Sequence, residues 1–161
     1  MAKLSENAIL FLLLHFVGRY KTTVPSNYCN PKKQQMKTKI ERWIGNAEKA
    51  FDRKHYHRSA RWYRKAAEQG NAEAQYCLGL CYYGALGVEL DDTEAVKWFR
   101  LAAEQGIPDA QKALGDMYLC GYGVKADDGE ALDWYRKAFA NGNAEAGLLI
   151  DQIIHAHELM I

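Results

Sequence analysis

The sequence predicts an all-α fold: an α/α superhelical solenoid of about three and a half helical hairpins with a 36-residue period. Three observations carry this expectation. "WYRKAAEQGNAEAQYCLGLCYY" (Trp62–Tyr83) and "WFRLAAEQGIPDAQKALGDMYL" (Trp98–Leu119) agree at 12 of 22 positions, offset by 36 residues. A weaker copy, "WYRKAFANGNAEAGLLI", opens another 36 on, at Trp134. Within each copy the apolar positions recur at helical rather than strand spacing.

The first part of the chain stands outside the rhythm. Residues 1–39 read as an N-terminal apolar segment followed by a basic linker, and 40–161 as the repeat solenoid. "AILFLLLHFV" (Ala8–Val17) is far short of the roughly 20 residues a membrane span needs, so no membrane span is expected. It has the length of a signal-peptide core, but Lys3 is the one basic residue ahead of it, Glu6 offsets that charge, and no A-x-A site follows. A helix packed on the first repeat, with Ser5 as N-cap, is the preferred reading. A cytoplasmic chain is accordingly expected. Secreted or periplasmic export is the alternative if residues 1–20 act as a signal peptide. "GRYKTTVPSNYCNPKKQQMKTK" then reads as linker, from its prolines and polar residues.

Regular pattern begins near Ile40, with a first helix over Ile40–Asp52. Gly70, Gly106 and Gly142 end apolar-periodic stretches, as a glycine just past a helix does. Asn71 and Asn143 follow as N-caps, and Pro108 takes the first helical position in the middle copy. The first helix of a unit runs through Ala74, Leu78 and Tyr82, matched by Ala110, Leu114 and Tyr118. Gly87 and Gly123 fall in the turn that follows and are expected at positive φ. Asp91 and Asp127 each stand three residues before a glutamate, an Asp-led capping box that opens the second helix. That helix buries Ala95, Trp98 and Ala102, then Ala131, Trp134 and Ala138. In this reading small alanines let backbones approach while each tryptophan fills the gap. Stacked hairpins of this kind form a solenoid.

These spacings resemble the Sel-one-like repeat, a relative of the tetratricopeptide repeat. The matching residues are Ala74, Leu78-Gly79, Tyr82, Gly87-Val88, Asp91, Ala95, Trp98 and Ala102–Gly106. The next copy matches at Ala110, Leu114-Gly115, Tyr118, Gly123-Val124, Asp127, Ala131, Trp134 and Ala138. The resemblance covers about residues 45–155. It implies a non-catalytic scaffold that holds a partner protein or peptide on the concave side of the superhelix, as an adaptor. The alternative it carries is a β-lactam-binding or hydrolysing enzyme, as described for cysteine-rich relatives. Those relatives repeat a cysteine pair in every unit to clip its two helices, a pairing this sequence lacks.

Catalytic and metal motifs are not found, and no cofactor is expected. The pairs His55/His57 and His155/His157 are spaced i, i+2, which sends the two rings to opposite sides of a helix, so surface histidines are expected. Cys77, Cys81, Cys29 and Cys120 have no zinc spacing, and buried free thiols fit them better. Asp91/Asp92 and Asp127/Asp128 are explained by capping. "RKHYHRSARWYRK" (Arg53–Lys65) mixes cations with aromatics in the manner of a nucleic-acid surface. Trp62 and Tyr63, however, fall on repeat positions, so a basic helix face remains and nucleic acid is not the expected partner.

A partner surface is sought where copies differ. On the first helices these positions are Tyr76, Leu80 and Tyr83, then Lys112, Asp116 and Leu119, then Leu148, Gln152 and His155. Each trio is spaced i, i+4, i+7, a strip one helix wide. The last helix is unusually apolar for a terminal repeat, which raises the expectation of self-association or partner capture at the C-terminal end.

Overall fold

The computed structural model describes residues 31–158. Among them lie seven helices and no strand: α1 (Pro31–Asp52), α2 (Tyr56–Ala67), α3 (Ala72–Tyr83), α4 (Asp92–Glu104), α5 (Pro108–Cys120), α6 (Asp128–Ala140) and α7 (Ala144–Glu158). Each helix packs on its chain neighbours, giving the hairpins α1/α2, α3/α4 and α5/α6, with α7 alone at the end. The apolar segment Ala8–Val17, Cys29 and the last three residues fall outside the described residues, as does the question of a leader.

Helix ends form where punctuation residues stand. Asn71 and Asn143 accept from the backbone N–H three residues on, at 2.8 and 3.1 Å, and Pro108 opens α5. Asp91 and Asp127 accept from Glu94 and Glu130 at 2.9 and 3.0 Å. Removing such a cap typically costs about 1 kcal/mol. Chain reversals after α2, α4 and α6 repeat one hydrogen bond: Asn71, Ile107 and Asn143 donate their backbone N–H to Ala66, Ala102 and Ala138. The glycine between has φ of +83°, +88° and +100° in the three copies. A six-residue loop of this kind satisfies carbonyls that the helix end would orphan.

Helix α1 departs from expectation, beginning at Pro31 rather than at Ile40. Residues 32–39 are all exposed. Lys, Gln and Met are good helix formers, but a helix with no buried face in that stretch leaves no apolar periodicity to read.

The core is built from alanines and a ring. Ala66, Ala74, Ala95, Ala102, Ala110, Ala131 and Ala138 are all at most 1% exposed. The ring, however, is not the expected tryptophan. Tyr63, Phe99 and Tyr135, one residue further on, are 2%, 1% and 0% exposed, while Trp62 and Trp98 are half-buried. Only Trp134, at 7%, is buried as expected. The repeat glycines explain the choice. A Cβ on Gly79 would lie 2.6 Å from the Phe99 ring, and one on Gly115 2.6 Å from Tyr135. The ring lies on bare backbone, and Trp62 and Trp98 pack half-buried against the core. Lys65 and Lys137 stand over the Trp62 and Trp134 rings, 4.6 and 3.8 Å from the centroids.

Polar contacts join one hairpin to the next. Gln75 and Gln111, buried in first helices, donate to the carbonyls of Ala67 and Ala103. Within their own hairpins their side-chain oxygens also accept from Gln105 and Asn141, at 2.7 and 2.9 Å. Arg64 donates to the Tyr82 hydroxyl, and Arg100 to Tyr118. In α7 the glutamine is replaced by Gly147 and the tyrosine by Ile154, so both ladders stop.

Candidate functional site

The first helices of successive hairpins enclose a small pocket of about 50 Å³. Helix α3 supplies Tyr76, Leu80 and Tyr83, α4 supplies Phe99, and α5 supplies Asp109, Lys112, Ala113, Asp116 and Met117. Asn143, the cap of α7, and Glu145 in its first turn close the far side. The floor is apolar because Tyr76 and Leu80 are each 2% exposed, with Tyr76 packed on Phe99 at 5.8 Å between centroids.

The rim is a connected polar network. Lys112 reaches Asp116 at 3.2 Å and Glu145 at 3.3 Å, tying α5 to α7. The Tyr135 hydroxyl donates to the other oxygen of Asp116 at 2.6 Å, and Asn143 donates to Asp109 at 2.8 Å. Burial pushes the Asp116 carboxyl above its usual range, against the pull of Lys112 and the Tyr135 hydroxyl. Burial acts to lower the Lys112 ammonium, yet the two carboxylates beside it outweigh that effect and raise it. Burial likewise drives the Tyr76 hydroxyl well up, with Asp109 adding to it, so it stays protonated. Three carboxylates around one ammonium leave the rim acidic.

Of the nine strip residues, Tyr76, Leu80, Tyr83, Lys112 and Asp116 line this pocket. The other four do not. Leu119 is half-buried against the C-terminal core; Leu148 is 64% exposed; Gln152 and His155 lie exposed further along α7. Tyr76 and Leu80 are therefore walls rather than projecting anchors. Asp109, Asn143 and Glu145 escaped the sequence reading of the strip because they sit at helix starts, where Asn143 was already explained as a cap and first-turn acids carry no signal of their own.

The histidine pairs come to no shared site. His55 and His57 are exposed at the start of α2, His155 is exposed with Glu158 3.8 Å away, and the His157 side chain lies outside the described residues. Among the described residues no group of three or more His, Cys, Asp and Glu is placed to hold a metal. No described helix is long and apolar enough to cross a membrane. Cys77 and Cys81 are buried free thiols one turn apart on α3, so they clip no pair of helices.

Comparison with known proteins agrees with the geometry. The Sel1 repeat family model matches residues 53–71, 72–107 and 108–143, over half of the chain. A Sel1 repeat protein from Oxalobacter formigenes is 42% identical over 58% of this chain and 38% of its own, with a TM-score of 0.57. The protective antigen c5321 of uropathogenic Escherichia coli, which displays an SLR fold, is 32% identical over 87% of this chain and 31% of its own, at 0.65. The chain thus spans about a third of the length of these two. The cysteine rich protein B of Helicobacter pylori, 20% identical over 73% of this chain and 96% of its own, shares the fold at 0.56. No curated protein sequence matches the chain.

Proposed function

Because the chain belongs to the Sel1 repeat family, we propose that it is a non-catalytic scaffold or adaptor that captures a protein or peptide at the pocket between α3, α5 and α7. Stacked helical repeats present extended inner surfaces of this kind for binding. The observation that carries the reading is convergence: five positions free to vary between copies meet around one apolar floor with a polar rim. About 50 Å³ suits the tip of one apolar side chain. Asp109, Asp116 and Glu145 against the lone Lys112 favour a cationic residue beside that anchor.

Selection from a displayed random-peptide library tests this. The expected consensus is an apolar residue next to Arg or Lys. Lys112→Glu should leave helicity intact and sharpen the basic preference, while Glu145→Lys should erase it. Enrichment indifferent to both changes would reject the pocket. Tyr76→Ala is a poor probe, since a ring 2% exposed carries core packing as well. A second contact at the C-terminal end, by self-association or partner capture, is supported by Leu148 at 64% and Ile154 at 41% exposure. Leu148→Glu reads it.

A further inference from the structure

The edge of the solenoid where second helices begin reverses its charge from one turn to the next. The turns α1–α2 and α3–α4 are neighbours there: Gly87, at φ +74°, lies so close to Tyr56 and His57 that a Cβ would fall 2.2 Å from the Tyr56 backbone. The first turn is cationic. Arg53, Lys54, Arg58 and Arg61 are all exposed, and no ion-pair or hydrogen-bond partner to their side chains is found among the described residues. Helix α2 also starts against the rule for its dipole, with no acid in its first turn and no side-chain cap. The second turn is acidic, carrying Glu89, Asp91 and Asp92. Leu90 projects between exposed Glu89 and Asp91 and is itself 52% exposed.

The imbalance extends beyond the turns. Residues 31–65 hold twelve Lys/Arg against three Asp/Glu, whereas 66–158 hold six against sixteen. At the junction of the two turns lies an open cleft of about 580 Å³, lined by Lys54, His55, Tyr56, Arg58, Arg61 and Gly87. An acidic strand with one apolar side chain has the chemistry to enter it.

We propose that this edge pairs two copies of the chain, the cationic cleft of each receiving the Glu89–Leu90–Asp91 segment of the other about a two-fold axis between the two turns. A strip whose charge reverses along its length is complementary to itself under a two-fold rotation. The second copy is the occupant because the same chain, one turn away, supplies both halves at equal concentration. Two short turns bury less than the roughly 800 Å² per partner of a standard interface. The dimer is therefore weak and held largely by charge, which salt screens over about 10 Å at 0.1 M.

Sedimentation equilibrium of the full chain at up to roughly 100 µM, in about 25 mM and about 500 mM salt, tests the proposal. Dimer is expected at low salt, with the dissociation constant weakened about tenfold or more at high salt. Arg53→Glu/Arg58→Glu cancels the positive charge of the first turn and leaves the edge net acidic, and Glu89→Lys/Leu90→Lys leaves it net basic. Each variant alone should be monomeric with unchanged helicity, and an equimolar mixture of the two should restore dimer. Leu148→Glu should dimerise as the parent chain does. A monomeric parent at low salt, salt-insensitive association, variants that still self-pair, a mixture that stays monomeric, or loss of dimer in Leu148→Glu would each overturn the proposal. None of these outcomes bears on the peptide pocket.

Discussion

The Tyr135 hydroxyl donates to Asp116 at 2.6 Å while its ring lies on the bare backbone of Gly115. One side chain thus fills the α5/α6 seam and orients a carboxylate of the pocket rim. Packing that repeats every 36 residues and a hydrogen bond to the pocket rim are joined in a single residue. The equivalent Phe99 fills the α3/α4 seam in the same way but has no hydroxyl to offer.

Adding a methyl group to each of three glycines should separate their roles. Gly115→Ala forces a Cβ to 2.6 Å from a fully buried ring and should lose about 2 kcal/mol, the usual cost of overpacking. Gly147→Ala meets the Phe139 ring at 3.0 Å, but that ring is 56% exposed and free to swing; it should be close to neutral. Gly45→Ala meets nothing and should gain up to about 1 kcal/mol from helix propensity. Urea denaturation midpoints order the three. A tolerated Gly115→Ala would mean that the ring does not lie where described.

The ring and the indole can be told apart by truncation. Phe99→Ala should cost about 3–5 kcal/mol, as for a large buried side chain. Trp98→Phe should stay within about 1 kcal/mol, because the indole is half-buried and its Nε1–H is buried without a hydrogen-bond partner among the described residues. Equal losses in calorimetry would restore the tryptophan as the core ring.

Acid should act mildly in favour of this fold through two glutamates. Burial raises the carboxyl of Glu48, with Asp52 and Glu73 adding to it, and burial raises Glu73. A carboxyl raised in the folded state contributes stability that is complete below its unfolded value and is lost as pH climbs through the folded one. Glu48→Gln/Glu73→Gln should therefore be more stable than the parent at pH 7. The difference should close as pH falls toward the ordinary glutamate value of 4.5. Chemical denaturation across that range gives the sign directly, and a difference that widens in acid would refute it.

Thiol labelling should be graded by helix face. Burial pushes Cys81 up to about 12 and Cys77 well above its ordinary range, and both are fully enclosed. Cys120 is only half-buried. Among these three, an alkylating reagent should modify Cys120 first in the folded protein and reach Cys77 and Cys81 only after unfolding, as mass spectrometry of digested samples would show.

Much of this architecture was legible without coordinates. A 36-residue period, a glycine before each new unit, and an asparagine, proline or aspartate at the helix starts from α3 onward are local signals, and local signals survive in sequence because each acts within one turn of backbone. Asn71, Asp91 and Asp127 cap, and Pro108 opens its helix, where their spacing said they would. Tertiary packing decided what spacing leaves open. Adjacent aromatics such as Trp98 and Phe99 are both large and apolar, and their order of burial depends on which one meets Gly79 across the seam. Buried Gln75 and Gln111 read as surface polar residues until the carbonyls of Ala67 and Ala103 stand opposite them. The start of α1 was invisible because an exposed helix buries no stripe. Likewise, Lys112 and Glu145 are 33 positions apart along the chain, and only the stacking of α7 against α5 makes them neighbours. Periodicity determines which face of each helix turns inward, because burial imposes it residue by residue. Contacts between hairpins determine the pocket and the charged edge, because they depend on distances that no single helix contains.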